Sequence, residues 1–470
     1  MSQSTSRSFY SRLFRMVLPM AAQHLMVALV SASDTIMMGM LDQSNLSAVS
    51  QATRINFFES FMIFGVTAGI SAMAAQYWGK GDSDTVERIQ AIALRYTMPF
   101  AILTCLACLL FPETIMGWFV REPELVGLGL SYLRHASFSY LFLGYSQVAL
   151  TVMKNSGRVA RSSAYGILTV VLNIALNAVL IFGLFGICRP MGIVGAALAT
   201  SISRGVEVVL CLLENVRQKV ILLKPRLLVE RMPRLEKDFW HYAWPLIANT
   251  AAWGGGMTMY SVVIGRFGSD VIAAHSVANI VKDCCDCVGS GVGGGGGILL
   301  GNELGRNEFD RARKDGRRLV ILSLIVGVGA GLVLLAISPA VIWLAGTLTR
   351  DLTDAARGYL RGMLYMCGYY MIGRTLNTML INGIFSAGGD TRFGFWCDLA
   401  NLWGLIIPAA WIAALLTDFA NPLLVYFILY LDEFTKIPIE YMHYKKYRWL
   451  RNITSDAGDE GVPAGADPGR

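Results

Sequence analysis

The sequence predicts an all-α membrane protein of twelve transmembrane helices, arranged as two six-helix lobes related by a pseudo-twofold axis along the membrane normal. Three observations carry this prediction. The 470 residues are 54% hydrophobic and only 16% charged, whereas soluble domains carry about 25% charged residues. Basic residues crowd into every second loop between the apolar stretches, and the second half of the chain repeats the first at an offset of 226 residues.

The elements follow in chain order. The opening MSQSTSRSFYSRLFRM is basic but leads into a full-length apolar stretch with no small-residue cleavage site. It is therefore expected to begin the first transmembrane helix and not to be a removed signal peptide. Asp34 falls in VALVSASDTIMMG, in the outer third of that span, with no basic neighbour close by on the same helix. A carboxylate so placed can exchange a proton, a sodium ion or a cationic substrate, or it can reach headgroup water from the helix end. Arg54 and Glu59 lie in the second span. The runs at 98–111, 167–186 and 319–337 are almost wholly apolar, and about 20 such residues cross a bilayer as a helix. Asn173 and Asn177 stand one turn apart in VLNIALNAV, and Thr200 lies in GAALATSISRG. These three can supply neutral oxygen ligands near Asp34, or hydrogen bonds between helices. Arg204 and Glu207 fall in the sixth span, Arg374 and Asn377 in the tenth, and Asp432, Glu433 and Lys436 form an ion cluster in the last.

The loop charges set the topology. Arg7, Arg12 and Arg15 precede the first span, Lys80, Arg88 and Arg95 follow the second, and Lys154, Arg158 and Arg161 follow the fourth. Seven basic residues at 217–237 follow the sixth span, and six at 306–318 follow the eighth. The alternate loops offer Asp42 with no base, Arg121 beside two glutamates, Arg189, Arg266, and then Arg350, Arg357 and Arg361. Both termini are accordingly expected in the cytoplasm, which requires an even number of spans. These bases sit where topology needs them, so the net charge of +7 is not read as nucleic-acid binding. Nine cysteines, mostly within spans, argue against a disulfide framework. Cys284, Cys285 and Cys287 with Asp283 could hold a metal, but small apolar filler is the simpler reading, and no metal site is assigned.

The repeat pairs Pro19 with Pro245, Gly39 with Gly265, Ala48 with Ala274, Gly65 with Gly291, Gly69 with Gly295 and Gly79 with Gly305. Six spans per half leave the halves in the same orientation, as in transporters with parallel repeats. The expected units are a first lobe at 1–214, a cytoplasmic connector at 215–241 with Pro225 and Pro233, a second lobe at 242–445, and a disordered tail at 446–470.

The eighth span contains VKDCCDCVGSGVGGGGGILLGNELG at 281–305. Gly289, Gly293, Gly297, Gly301 and Gly305 recur every fourth residue, a ridge on which another helix backbone can approach closely. Gly295, off that ridge, is expected to tolerate alanine. The letters G-S-G-V-G-G fit a dinucleotide fingerprint, but no strand precedes them. Before the ridge, Lys282 and Asp286 are four residues apart on one face and can pair with each other. Charges at that depth are costly unless they face a partner or a water-filled cavity, and the cavity is the preferred reading. His24, His135, His241, His275 and His443 are scattered, and no catalytic motif appears, so the chain is not read as an enzyme.

At this point several stretches resemble the multidrug and toxic compound extrusion (MATE) transporters. They are PMAAQ from Pro19, DTIMMG from Asp34, AQYWGKG from Ala75, VLNIALN from Val171, GIVGAALATSISR from Gly192, DVIAAHSVA from Asp270, GNELG from Gly301, AGGDT from Ala387 and DEFTK from Asp432. The resemblance runs from Pro19 to Lys436 in the family's order. It implies two lobes around a central cavity, with export coupled to inward flow of protons or sodium and no other cofactor. The family's first-span acid falls on Asp34 and its fifth-span asparagine on Asn173; some members carry aspartate where this chain has Asn177. A sodium site described in the second lobe of another branch does not carry over, because its acids fall on Trp253 and Thr375. The ion-coupling candidates are thus Asp34, Asn173, Asn177 and Thr200. The substrate-cavity candidates are Gln23, Arg54, Trp253, Lys282, Asp283, Asp286, Arg374 and Asn377. The expected activity is secondary antiport of organic, cationic or amphiphilic compounds across the cell membrane, with lipid and a small-molecule substrate as partners, no nucleic acid, and a monomeric state. A flippase or exporter for lipid-linked or anionic metabolites is the nearest alternative, and would favour extra spans and a strongly cationic cavity. An intramembrane enzyme is the alternative of another class, and would need a catalytic pair converging from separate spans.

Overall fold

A computed structural model of the chain describes residues 2–41, 43–120, 122–184, 189–218, 224–348 and 353–454. Asp42, Arg121, Arg350, residues 219–223 of the connector and residues 455–470 of the tail lie outside them. Every regular element among the described residues is helical. The first lobe contains α1 (Ser2–Gly39), α2 (Gln43–Ala52), α3 (Arg54–Lys80), α4 (Ser83–Leu110), α5 (Pro112–Phe119), α6 (Pro123–Asn155), α7 (Val159–Phe182) and α8 (Gly192–Gln218). After the short α9 (Pro225–Val229), the second contains α10 (Pro233–Gly265), α11 (Ser269–Gly305), α12 (Phe309–Leu348) and α13 (Asp354–Asn377). It continues through α14 (Thr391–Asn401), α15 (Ile407–Leu416), α16 (Pro422–Leu429), α17 (Asp432–Thr435) and α18 (Ile437–Lys445).

With α2–α3, α14–α15 and α16–α18 each counted as one broken span and the short α5 and α9 left out, these make twelve. Seven are long and apolar enough to cross a membrane by composition alone. The other five, α6, α10, α11, α13 and the last, carry charges, polar residues or glycine that lower their hydropathy. Two spans are widened by π-type turns, at Thr378–Phe385 after α13 and at Leu402–Ile406 between α14 and α15. Such turns usually mark functional regions of helices.

The internal repeat reappears as contacts. A Cβ added to Gly65 would lie 2.5 Å from Ile247 Cα, and one added to Gly291 would lie 3.0 Å from Ala21 Cβ. Gly69 meets Ala243 as Gly295 meets Val17, and Gly79 meets Asn302 as Gly305 meets Gln76. Each partner is displaced by the same 226 residues, so α1 packs on α11 as α10 packs on α3, and α3 crosses α11 on the pseudo-twofold axis. All of these contacts lie in the helix halves next to the basic loops. Hydrogen bonds reinforce this end: Gln76 Nε2 donates to Ala387 O at 2.7 Å, and Arg306 Nε donates to Gly79 O at 3.3 Å. Arg12 and Glu303 add an ion pair at 3.5 Å.

The glycine ridge of α11 serves two helices where the sequence suggested one. A row spaced by four residues drifts about 40° per step around a helix of 3.6 residues per turn. Gly289 and Gly293 therefore face Thr375 and Thr378, and a Cβ added to Gly297 would lie 3.2 Å from Gly383 Cα, whereas Gly301 and Gly305 face Ala75 and Gln76 of the other lobe. Gly295, expected to tolerate alanine, is off the ridge but not in open space: a Cβ there would approach Val17 Cγ2, a side-chain atom, to 3.1 Å. A Cβ on Gly305 would overlap the Gln76 carbonyl oxygen. Gly305→Ala is expected to destabilise the protein by about 1–3 kcal/mol, because backbone cannot move aside as a side chain can. Gly295→Ala should cost less, and Gly329→Ala, with open space around it, should cost nothing. Thermal unfolding of the three variants in detergent checks this order, and equal midpoints would contradict it.

The tail also differs from expectation. Residues 446–454 are packed: Trp449 is fully buried, and Arg451 donates to Gly388 O at 2.8 Å and Gly389 O at 2.6 Å. Ile453 N donates to Gln76 Oε1 at 2.9 Å, and Lys80 Nζ donates to Thr454 O at 3.0 Å. These nine residues strap the closed end of the two lobes together. They carry no helical periodicity to signal this, because their partners are single groups far away in sequence, the Gln76 and Lys80 side chains of α3 and the backbone at Gly388 and Gly389.

Candidate functional site

Two polar groups form inside the lobes. In the first, α1, α7 and α8 bring together the four candidates for ion coupling. Asn177 Nδ2 donates to Asp34 Oδ1 at 2.6 Å and to Asn173 Oδ1 at 3.3 Å. Asn173 Nδ2 in turn donates to Thr200 Oγ1 at 3.3 Å and to Ser203 Oγ at 3.5 Å. The spacing of Asn173 and Asn177 places both amides on the same face of α7, and Thr200 and Ser203 answer from one face of α8. Asn173 and Asn177 are buried, and Asn177 Oδ1 has no donor among the described residues. Ser203 was not singled out from sequence; the signal was its three-residue spacing from Thr200 in ATSISR.

In the second lobe, a cavity of about 460 Å³ lies between His24 and Ala28 of α1 and Trp253, Asp283, Asp286 and Arg374. A second space of about 260 Å³ continues from the last four residues to Lys282, Tyr370 and Tyr430. Five of the cavity candidates therefore line these spaces. The pairing of Lys282 with Asp286 that their spacing allowed is corrected. Lys282 Nζ is 3.8 Å from Asp283 Oδ1 and sits over the rings of Tyr370 and Tyr430 at 5.7 and 5.4 Å. Asp286 Oδ2 instead meets Arg374 Nε at 3.6 Å and accepts from Ser290 Oγ at 3.0 Å. The preference follows from the direction of the side chains. Arg374 reaches across from α13 with a planar fork, which Lys282 on the same helix as Asp286 cannot match. Arg374 also lies 5.5 Å from the Trp253 ring.

Three candidates fall elsewhere. Gln23 packs its amide against Gly166 of α7. Arg54, at the start of α3 beyond the break at Thr53, lines a separate space of about 360 Å³ with Ser50, Thr53, Asn56 and Ser60. Asn377 is buried, donating to Glu433 Oε2 at 2.6 Å. It belongs to a charge network behind the cavity wall. Glu433 Oε1 meets Arg374 Nη1 at 3.3 Å, Glu433 Oε2 meets Lys436 Nζ at 3.1 Å, and Lys436 Nζ meets Asp398 Oδ1 at 2.8 Å. Asn249 Nδ2 completes it, donating to Asp398 Oδ2 at 3.0 Å. Asp398 gave no sequence signal, because its partners lie 38 and 149 positions away.

The sequence matches the MatE family over residues 19–179 and 245–427. It is similar to the probable multidrug resistance protein YoeA of Bacillus subtilis (strain 168), 22% identical over 371 residues that cover 78% of each chain. The probable multidrug resistance protein NorM of Rhizobium meliloti (strain 1021) is 26% identical over 431 residues, covering 79% of this chain and 86% of that protein. Among solved structures, the outward-facing conformation of a multidrug resistance MATE family transporter superposes with a TM-score of 0.84 at 16% identity, over 93% of this chain and 95% of that one. With a family match over most of its length, the chain belongs to the MatE family of efflux transporters and is not an enzyme.

Proposed function

We propose that this transporter is a secondary antiporter of the cell membrane that exports organic, cationic or amphiphilic compounds in exchange for protons or sodium by alternating access. The observation that carries the reading is the Asp34 group. One carboxylate in an apolar span is held by a neutral amide, Asn177, whose own oxygen has no donor among the described residues. A buried charge and a bare buried oxygen are both costly. A proton on Asp34, or a sodium ion among the oxygens of Asp34, Asn177 and Thr200, relieves that cost. The cavity against the second lobe supports the substrate side: its aromatic rings and carboxylates are held by Lys282 and Arg374, and a cationic group of a substrate can compete for the same partners.

By the positive-inside rule the strapped ends of the lobes and both termini face the cytoplasm, so the arrangement is outward-facing. The moving bodies in this reading are residues 1–214 and 242–445, joined by the connector at 215–241. Both sites lie within one chain, so a monomer suffices, with no cofactor beyond the coupling ion. The test is uptake of a fluorescent organic cation into proteoliposomes under a proton or a sodium gradient, imposed one at a time. Uptake driven by either gradient supports antiport; equal uptake with and without both gradients overturns it.

The Lys282 and Asp283 pair should select among substrates. Lys282→Ala leaves Asp283, whose side chain is 64% exposed, uncompensated in the cavity. It is expected to raise the cation-to-anion transport ratio about fivefold, for a charge term of about 1 kcal/mol. Asp283→Ala should lower that ratio by a similar factor. Matched cationic and anionic probes of similar size measure both, and parallel losses of the two probes would mean that the pair is structural.

A further inference from the structure

We propose that Glu59 is a second proton-binding carboxyl of the first lobe, distinct from the Asp34 group. Glu59 lies on α3, is 0% exposed, and has no hydrogen-bond partner on either carboxyl oxygen among the described residues. Groups from three other helices lie within electrostatic range of it: Cys105 and Cys108 of α4, Tyr140 of α6 and Arg204 of α8. The Tyr140 hydroxyl is likewise buried without a partner. Arg204 is the cation on this side, but its Nη1 is engaged by Glu207 Oε2 at 3.0 Å.

An ionised carboxylate in this place would have neither a donor nor a bonded cation, at a cost of several kcal/mol. A carboxylic acid removes that cost by losing its charge, and its hydroxyl can use a neighbouring oxygen or sulfur as acceptor. The next residue, Ser60, lines the open polar space around Arg54, so water reaches the adjoining face of α3 within one residue of Glu59. When Glu59 releases its proton to water, Arg204 is the cation it can pair with, through guanidinium nitrogens other than the Nη1 that Glu207 holds. The proton on Glu59 thus decides whether α8 is tied to α3. Neither α7 nor any residue of the Asp34 hydrogen-bond chain takes part.

Its use in transport rests on the antiport reading; its test does not. Infrared difference spectroscopy of the full-length protein in lipid nanodiscs, titrated without substrate or gradient, detects the carboxylic-acid C=O band that appears when a carboxylate is protonated, the pH-independent amide and lipid-ester bands cancelling in the difference. The wild type and Asp34→Asn are expected to share one such band, which is lost in Glu59→Gln and returns at a shifted frequency in Glu59→Asp. Should Glu59→Gln fail to fold, the shift in Glu59→Asp alone identifies the group. A spectrum unchanged by both substitutions overturns the proposal, as does a band that vanishes in Asp34→Asn and survives in Glu59→Gln. Because no substrate is involved, failure of the liposome assay would leave this result standing.

Discussion

Asp34→Asn is expected to reduce gradient-driven export to the level of protein-free liposomes while the protein still folds. The carboxylate is the one member of its hydrogen-bond chain that can change charge. Asn177 donates to its Oδ1 at 2.6 Å, and beyond it, among the described residues, lie the amide of Asn173 and the hydroxyls of Thr200 and Ser203. An amide of the same shape still offers an oxygen to Asn177, so the change in stability should stay within about 1 kcal/mol. It cannot bind and release a proton, and it is a weaker ligand for a cation. Transport in proteoliposomes and thermal unfolding of the same preparation separate the two effects. Wild-type transport in this variant would remove Asp34 from the coupling mechanism; a large loss of stability would make its role structural.

Glu433→Ala is expected to destabilise the second lobe by about 3–5 kcal/mol, the usual cost of removing one partner from a buried ion pair. Glu433 is 1% exposed and joins two cations, Arg374 at 3.3 Å and Lys436 at 3.1 Å, while accepting from Asn377 at 2.6 Å. Removing it leaves Arg374 with Asp286 and Lys436 with Asp398, and leaves the Asn377 amide without its carboxylate. Arg374 is also part of the cavity wall, so substrate binding should weaken with stability. Glu433→Gln keeps an acceptor for Asn377 and should lose less. Unfolding in mixed micelles measures both variants, and a loss below about 1 kcal/mol for Glu433→Ala would show that the network is solvated.

The polar group of the first lobe was legible because its members are simple in sequence. Asp34 is a lone acid in an apolar span, and Asn173 and Asn177 are one turn apart, so a single helical face brings both toward α1. The second lobe was less legible because its charges had several possible partners. Helical spacing suggested Lys282 with Asp286, yet each found a better partner, Asp283 for the first and Arg374 of another helix for the second. Asn377 stood beside Arg374 in sequence but faces the buried side of α13, where Glu433 holds it. Gln23 was grouped with the cavity through a motif, although its amide packs against α7.

The sequence by itself determined the class of this protein, the number of its spans and its doubling, because apolar length and an offset of 226 residues are properties of the chain alone. It also marked the acid of the first span and the glycines of α11. Only the tertiary structure decided which helices those glycines serve, since a row spaced by four drifts around the helix and meets α13 first and α3 later. It likewise decided the ion pairs, the isolation of Glu59 and the strap at 446–454. Each depends on side chains from spans far apart in sequence, and within a low-dielectric interior a charge is settled by whichever partner the packing brings nearest.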